Sequence, residues 1–242
     1  MENLTKNTSY FVEGTGRAII NDGHGNIGYI HLQEANFEFS SKMEDIYGGE
    51  SNTSLYQYQT EKNGKVSFKN ASMDAQTVAL TQGVGMAAKA TVFAMDEEVE
   101  IQTDGSFTLA HATEADLSTL MLVDSERKAV PVTAGKVDTS YANKKLLATY
   151  CYKTATKAIG VDVDTVAVPC YVQILFRSKP MIQKDGRKVQ MMITIYKARS
   201  DGSLKLDLKH KNAFAPELEF GIADPEREDG KFWSFAVVDI TE

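Results

Sequence analysis

Cysteine, histidine and long apolar runs are all scarce in this chain of 242 residues. The two cysteines and four histidines are scattered, so no cluster has the ligand spacing of a zinc site. No segment approaches the ~18–20 consecutive apolar residues that a membrane-spanning helix needs. The polar start, Met1–Asn7, also lacks the apolar stretch of a signal peptide. These absences predict no metal, no membrane partner and folding in a reducing cytosol.

The cysteines, Cys151 and Cys170, each lie beside a tyrosine in apolar surroundings. Such surroundings favour buried, inert thiols. A disulfide between the two stays open, because their separation in the sequence does not decide whether they pair.

Basic residues are fewer than acidic ones, 26 against 33, which gives a formal net charge of -7. An acidic surface repels phosphate, so tight or sequence-reading nucleic-acid binding is disfavoured. The same charge is compatible with nucleic acid that slides past without sticking. A hydrophobic fraction of 43% is ordinary for a globular protein, and it predicts a real core.

Motifs for catalysis are absent or lack the required context. No serine occupies G-x-S-x-G, and the four histidines lie in four separate segments, so no catalytic triad can be argued. The stretch Gly23–Gly28 matches G-x-G-x-x-G, but the strand-like Tyr29–Leu32 follows it where a dinucleotide site needs a helix. We interpret it as a hairpin turn. The sequence therefore predicts no enzyme, no catalytic residue and no cofactor-binding residue.

Strand-like alternation dominates the chain and predicts a mainly β fold, a sandwich or barrel rather than βαβ units. Residue pairs typical of tight hairpin turns punctuate the alternating runs. The pairs are Asn63-Gly64, Asp185-Gly186, Asp201-Gly202 and Asp229-Gly230. One helix is predicted over Ala75–Gln82, because Asp74 can cap its start and Gly83 can end it.

The middle of the chain has a separate pattern of short strands and polar turns. It indicates a small β module inserted into a larger β domain. The predicted boundaries are residues 1–96 for the first half of the large domain, 97–155 for the module and 156–242 for the second half.

The order of segments from Ile27 to Gly83 is similar to the N-terminal half of bacteriophage tail tube proteins. Two strands, Tyr29–Leu32 and Ala35–Phe39, precede a long polar loop, and a strand, Lys65–Lys69, then leads into the helix. The C-terminal half, from Pro169, resembles the second group of strands in that family. Residues 97–154 depart from the minimal pattern and resemble the immunoglobulin-like modules found in phage tail proteins.

The resemblance implies a tail-tube-type β-sandwich or barrel with one flanking helix. It implies a structural subunit that forms hexameric rings, which stack into a tube around a lumen for DNA passage. The partners would be other copies of the chain and other tail proteins, such as a tape measure, baseplate or sheath protein. DNA would only pass through the lumen without specific binding. The protein would reside in the tail of the virion, after assembly in the host cytoplasm.

The loop between Ser41 and Lys62 is the predicted contact between stacked rings. A loop of roughly 20 residues without secondary structure of its own is usually functional. The candidate contact residues are at or near its glycine-containing tip, and they are Tyr47, Gly48, Gly49, Glu50, Leu55, Tyr56 and Tyr58. An alternative is a different virion β-sandwich, such as a capsid decoration, an adhesion module or a carbohydrate-binding module, with Tyr47, Tyr56 and Tyr58 as an aromatic platform.

Overall fold

β-Strands make up more than half of the residues that the structure describes, as the alternation predicted. The computed structural model describes residues 14–25, 27–48, 53–72, 74–154, 156–205 and 216–240. In chain order, the elements are β1 Gly16–Asn21, β2 Ile27–Tyr47, β3 Ser54–Asn70, α1 Ala75–Gln82, β4 Ala90–Glu100, β5 Ala115–Val123, β6 Ala129–Val130, a 3₁₀ turn Thr139–Tyr141, β7 Lys145–Thr154, β8 Tyr171–Ser178, β9 Met181–Ile182, β10 Lys188–Lys205, β11 Glu217–Ile222 and β12 Trp233–Asp239.

The chain divides into two units. Unit 1 combines the residues up to Gly85 with those from Val163 onward, and unit 2 spans Met86–Asp162. Unit 1 holds an eight-stranded sheet, and unit 2 holds a separate four-stranded sheet. The mainly β class is therefore confirmed, and the described part of the chain contains one short α-helix.

The sheet of unit 1 is a nearly closed barrel of antiparallel strands. Its hydrogen-bonded neighbours run from β10 through β8, β1, β2, β3 and β11, and β11 pairs again with β10. One edge of β10 pairs with two different strands. Its first part, Val189–Ile195, pairs with β12, and its second part, Ala198–Lys205, pairs with β11, which closes the ring of strands. Closure of this kind leaves few open strand edges.

Alternate residues of these strands form the core of unit 1. The buried side chains are Ala18, Ile20, Ile30, Leu32, Val66, Phe68, Leu80, Val172, Ile174, Phe176, Ile193, Ile195, Ala198, Leu218 and Phe220. Aromatic rings join the strands across the interior: the ring of Phe37 packs edge-on against Phe68 and Phe176, and the Phe39 ring stacks on Trp233 with centroids 4.1 Å apart. Burial of each large apolar side chain stabilises the unit by roughly 1.5–3 kcal/mol.

The glycine-rich motif forms the turn between β1 and β2. Gly23 and Gly25 have φ angles of 77° and 99°, which suit glycine, and β1 and β2 pair up to Asn21 and Ile27. The side-chain oxygen of Asn21 accepts a hydrogen bond of 2.8 Å from the Gly23 backbone. The hairpin interpretation is confirmed, since the motif opens onto a strand.

Helix α1 has the bounds that its capping residues predicted. The Asp74 carboxylate accepts a hydrogen bond from the Gln76 backbone N–H at 3.2 Å. Gly83 ends the helix with φ 71°, and a Cβ at this position would overlap the carbonyl oxygen of Val168. Leu80 lies in the core, so the helix packs on the barrel.

Two of the four predicted turn pairs are turns, and two are not. Asp185-Gly186 and Asp229-Gly230 form turns. In each turn the glycine N–H donates a hydrogen bond to the backbone carbonyl three residues earlier. Asp201-Gly202 instead lies at a bulge within β10. Asn63-Gly64 lies inside β3, where Gly64 faces Phe39. A Cβ on Gly64 would lie 2.6 Å from the Cδ1 of Ile222, so this glycine permits close packing rather than a turn.

Unit 2 is built on a sheet with strand order β4-β7-β5-β6. Strand β4 starts at Ala90, seven residues before the predicted module boundary. It pairs with β7 along its length, from Ala90 opposite Thr154 to Glu100 opposite Lys145. The core contains Val99, Ile101, Leu109, Leu122, Val130, Val137, Leu146, Ala148 and Tyr150. An immunoglobulin-like identity for this unit stays a prediction.

A buried tyrosine fixes a loop of unit 2 to its sheet. The Tyr150 hydroxyl donates to the Glu97 carboxylate at 2.7 Å and accepts from the His111 backbone N–H at 3.2 Å. Burial, reinforced by the bond to Glu97, raises the pKa of Tyr150. The second Glu97 oxygen accepts from the Ala110 backbone N–H, so Glu97 joins the buried Tyr150 hydroxyl to the loop before β5.

Both cysteines are free thiols, and neither is fully buried. Cys151 is half-buried in β7, whereas Cys170 is exposed just before β8. The prediction that both thiols are buried was wrong for Cys170. An apolar local sequence does not determine burial at the end of a strand, where neighbouring residues can point outward.

Excision of unit 2 tests whether the two units fold separately. We expect a chain with residues 86–162 replaced by a Gly/Ser linker to melt cooperatively and to keep its β-sheet circular dichroism, because unit 1 has its own core. Excision of 97–154 is the matched control. It removes β7 but leaves Ala90–Asp96 of β4 unpaired, so it should aggregate. Failure of the first variant to fold would contradict the separation.

Candidate assembly surface

Unit 1 has a two-stranded ribbon that is exposed along its described length. We define the distal arm as Ser40–Tyr47 of β2 and Ser54–Asn63 of β3, in which every residue is exposed. Strand β1 pairs with β2 only at Ile27–His31, and β11 pairs with β3 only at Lys65–Lys69. Among the described residues, the arm therefore has no third strand. Eight residues of strand extend about 26 Å.

The prediction of a loop without secondary structure between Ser41 and Lys62 was wrong. Its described residues continue β2 and β3 as paired strands, from Ser41 opposite Lys62 to Tyr47 opposite Ser54. Neither face of the ribbon is buried, so the polar-apolar pattern that marks a half-buried strand is weak here. The alternation Tyr56-Gln57-Tyr58-Gln59 before Thr60 was the available signal, since tyrosine and threonine favour strands.

The two faces of the arm carry different side chains. On one face, Glu44 lies opposite Tyr58 and Ile46 lies opposite Tyr56, and the Tyr58 hydroxyl donates to Glu44 at 3.2 Å. We call this group of four the tyrosine face. The other face includes Met43, Asp45, Tyr47, Ser54 and Gln57. Both faces thus expose large apolar groups.

We call residues 43–59 the tip of the arm, of which 43–48 and 53–59 are described. The two carboxylates among these described residues differ in how far they are already hydrogen-bonded. The Asp45 carboxylate accepts from Ser54 at 2.9 Å and from Tyr47 at 3.4 Å. A hydrogen bond from Gln57, followed by those from Ser54 and Tyr47, holds the pKa of Asp45 below its usual range. The Glu44 carboxylate accepts a hydrogen bond from the Tyr58 hydroxyl and forms an ion pair with Lys42, whose Nζ lies 3.7 Å away. The described residues 43–48 and 53–59 contain these two carboxylates and no lysine or arginine.

The described members of the predicted contact set lie together at the tip of the arm. Tyr47, Leu55 and Tyr56 are 63%, 66% and 64% exposed, Tyr58 is also exposed, and Gly48 lies beside Leu55. Gly49 and Glu50 lie outside the described residues. Met43 and Ile46 are also exposed at the tip, and the prediction missed them because single apolar residues among charges gave no strand signal.

This surface suits protein contact. A two-stranded ribbon alone is marginally stable in water. Clustered exposed apolar side chains typically mark an interaction site. In the part of the chain that the structure describes, no group of three or more His, Cys, Asp or Glu residues could hold a metal ion. Nor is any helix there long and apolar enough to cross a membrane.

Comparison with known proteins assigns the chain to a family. A search of curated proteins found no match. A model of the YomU/Tube protein family matches residues 15–235, which include every strand of unit 1 apart from the last few residues of β12. The match supports the tail-tube resemblance but says nothing about an immunoglobulin-like insert. Since one family model accounts for nearly the whole length, this chain belongs to the YomU/Tube protein family.

Proposed function

We propose that the chain is the structural subunit of a bacteriophage tail tube, in which hexameric rings stack around a lumen for DNA passage. Membership of the Tube family supports a structural rather than a catalytic role. The observation that carries the proposal is the distal arm, a ribbon with apolar side chains exposed on both faces. In the tube, the arm contacts the next ring through Tyr47, Gly48, Gly49, Glu50, Leu55, Tyr56 and Tyr58.

A stacking contact made by an arm has the geometry that a filament requires. The arm and its docking surface are different parts of the subunit, so the contact is heterologous and can repeat without closing. Each large apolar side chain buried on docking gains roughly 1.5–3 kcal/mol before the cost of ordering is subtracted. Docking also covers the unpaired strand edges of the arm.

The partners in this proposal are other copies of the chain and other tail proteins. DNA passes through the lumen, and the net charge of -7 opposes its retention. An aromatic platform for carbohydrate receives little support from the arm. Tyr56 and Tyr58 share the tyrosine face, whereas the Tyr47 hydroxyl bonds to Asp45 on the opposite face. The three rings therefore do not lie on one surface.

Negative-stain electron microscopy of the purified chain tests the proposal. We expect rings or hollow tubes whose abundance rises with protein concentration, because each contact is intermolecular. Sedimentation velocity on the same samples measures the fraction assembled. A chain that stays monomeric at every concentration and salt tested would count against a tube subunit and favour a monomeric virion module.

A further inference from the structure

The outward side of the barrel carries two adjacent rows of side chains that differ in chemistry. Across β2, β1 and β8, Tyr29 lies beside Ile19, and Ile19 lies beside Leu175. The next outward row contains His31, Arg17 and Arg177. These residues point away from the core because their sequence neighbours, among them Ala18, Ile30 and Phe176, are buried. We call the five residues Ile19, Tyr29, Leu175, Arg17 and Arg177 the arginine face.

The two arginines lie directly opposite each other on neighbouring strands. Arg17 pairs with Arg177 in the register of β1 and β8, and both are exposed. Like charges in this position destabilise a sheet. No carboxylate lies at the paired positions around them, since His31 and Met192 occupy these positions. A carboxylate brought by another molecule would relieve the repulsion and could bond to the planar guanidinium groups.

The apolar row lines a shallow groove beside the arginines. The groove has a volume of about 340 Å³, and its lining includes Ile19, Tyr29, Leu175 and both arginines. Tyr29 is 50% exposed and Leu175 is 38% exposed. Exposed apolar side chains rimmed by charge are typical of a protein-docking surface. A partner for this face needs apolar or aromatic side chains with an acidic group beside them.

We propose that the tyrosine face of the distal arm of a second copy docks on the arginine face. Ile46, Tyr56 and Tyr58 cover the apolar row, and the Glu44 carboxylate meets Arg17 and Arg177. This assignment rests on the proposed function, for which it names the surface that receives the arm. Charge complementarity carries it, because the described residues 43–48 and 53–59 contain two carboxylates and no cation, whereas the receiving row has two exposed arginines. The nearest cation of the arm is Lys42, whose Nζ lies 3.7 Å from Glu44.

The identity of the carboxylate follows from the hydrogen bonds within the arm. Asp45 already accepts from Gln57, Ser54 and Tyr47 on the opposite face. Glu44 lies on the tyrosine face, with one hydroxyl donor and a long ion pair to Lys42. Of the two carboxylates among the described tip residues, Glu44 is therefore the one with acceptor capacity left for two guanidinium groups.

The arm must come from another subunit. Tyr29 and Ile46 belong to the same continuous strand, β2. Their separation of 17 residues corresponds to about 55 Å of extended chain. An extended strand of that length holds the tip of the arm away from the sheet face at its own base. Docking therefore links one copy to the next, as stacking requires.

Charge reversal tests the pairing. We expect the double variant R17E/R177E to raise the critical concentration for tube formation at least 10-fold, and E44R to do the same. The triple variant R17E/R177E/E44R should restore tubes, because the attraction is rebuilt with its signs exchanged. The control K89E/K128E changes the net charge as much as R17E/R177E does but lies in unit 2, and it should assemble normally. Thermal melting checks that each variant is folded.

Photo-crosslinking gives a second measurement that does not depend on a folded arginine variant. A benzoylphenylalanine placed at Tyr56 of unlabelled protein, mixed with ¹⁵N-labelled protein, should form intermolecular adducts within residues 17–29 or 173–177. Adducts elsewhere, or none, would overturn the docking.

The outcomes separate the docking from the proposed function. If the natural chain forms tubes and R17E/R177E does so equally well, the docking is wrong and the tube subunit stands. If the natural chain forms no tubes, the proposed function fails, and the adducts alone decide the docking. Duplex DNA binding at physiological salt that R17E/R177E abolishes would assign the arginines to nucleic acid instead.

Discussion

Shortening the distal arm is expected to abolish tube formation while leaving a folded subunit. In this variant Lys42–Glu61 is deleted, and an Asn-Gly turn joins Ser41 to Lys62, which are paired partners in β2 and β3. The strand residues that the deletion removes, Lys42–Tyr47 and Ser54–Glu61, are all exposed, and none of them belongs to the barrel core. The melting temperature should therefore stay within roughly 3 °C of the parent. Electron microscopy should show no tubes at concentrations where the parent is fully assembled.

A control variant separates loss of the tip from loss of length. The triple substitution I46S/Y56S/Y58S keeps both strands of the arm and removes the apolar groups of the tyrosine face. We expect it to lower assembly at least 10-fold, with the subunit still folded. Tubes of normal length and stability from the shortened chain would remove the arm from the assembly mechanism.

Phe68→Ala is expected to be the most destabilising single substitution in unit 1 that we consider. Phe68 is 0% exposed, and its ring packs against Phe37 and Phe220, with centroids 5.8 and 6.2 Å away. Removal of a buried phenylalanine ring costs about 3–5 kcal/mol, from lost burial and from the cavity left behind. For a unit of this size, this loss lowers the melting temperature by roughly 6–20 °C. Urea unfolding followed by circular dichroism measures the change.

Phe235→Ala is the matched control for that substitution. Phe235 lies in β12 of the same unit but is 54% exposed. Its loss should cost under about 1 kcal/mol, because much of the ring is already in water. Equal effects of the two substitutions would show that the stability of unit 1 does not come from the interior that we describe.

The sequence could predict those elements whose signals are local. Helix α1 was predicted with its correct ends because Asp74 and Gly83 act on the residues next to them. The β1–β2 turn was predicted because glycines with positive φ mark it. The alternation of buried and exposed residues predicted the barrel strands, since a strand with one face in a core must alternate.

The remaining features depend on contacts that the local sequence does not contain. The strands of the arm were missed because no core selects one of their faces. Gly64 of the Asn63-Gly64 pair was wrongly predicted to be a turn residue. Glycine is needed there because the side chain of Ile222, which is distant in the sequence, packs against the backbone. The double pairing along one edge of β10 is likewise a property of the nearly closed barrel as a whole. For the candidate site, the sequence predicted the residues of the arm tip but not the arginine face, which forms only when β1 and β8 pair.

The pairing order of the barrel also constrains when the subunit can be finished during its synthesis. Strands β1 and β3 take β8 and β11 as neighbours, and the ribosome makes both of these after all of unit 2. Unit 2 can therefore fold first, at a stage when β1 and β3 each still lack one of their neighbouring strands. Arg17 pairs with Arg177 only after β8 has been synthesised, so the surface that we propose as the receiver of the arm does not exist on a shorter nascent chain. A subunit with this topology becomes competent to polymerise only after β8 and β11 have been synthesised.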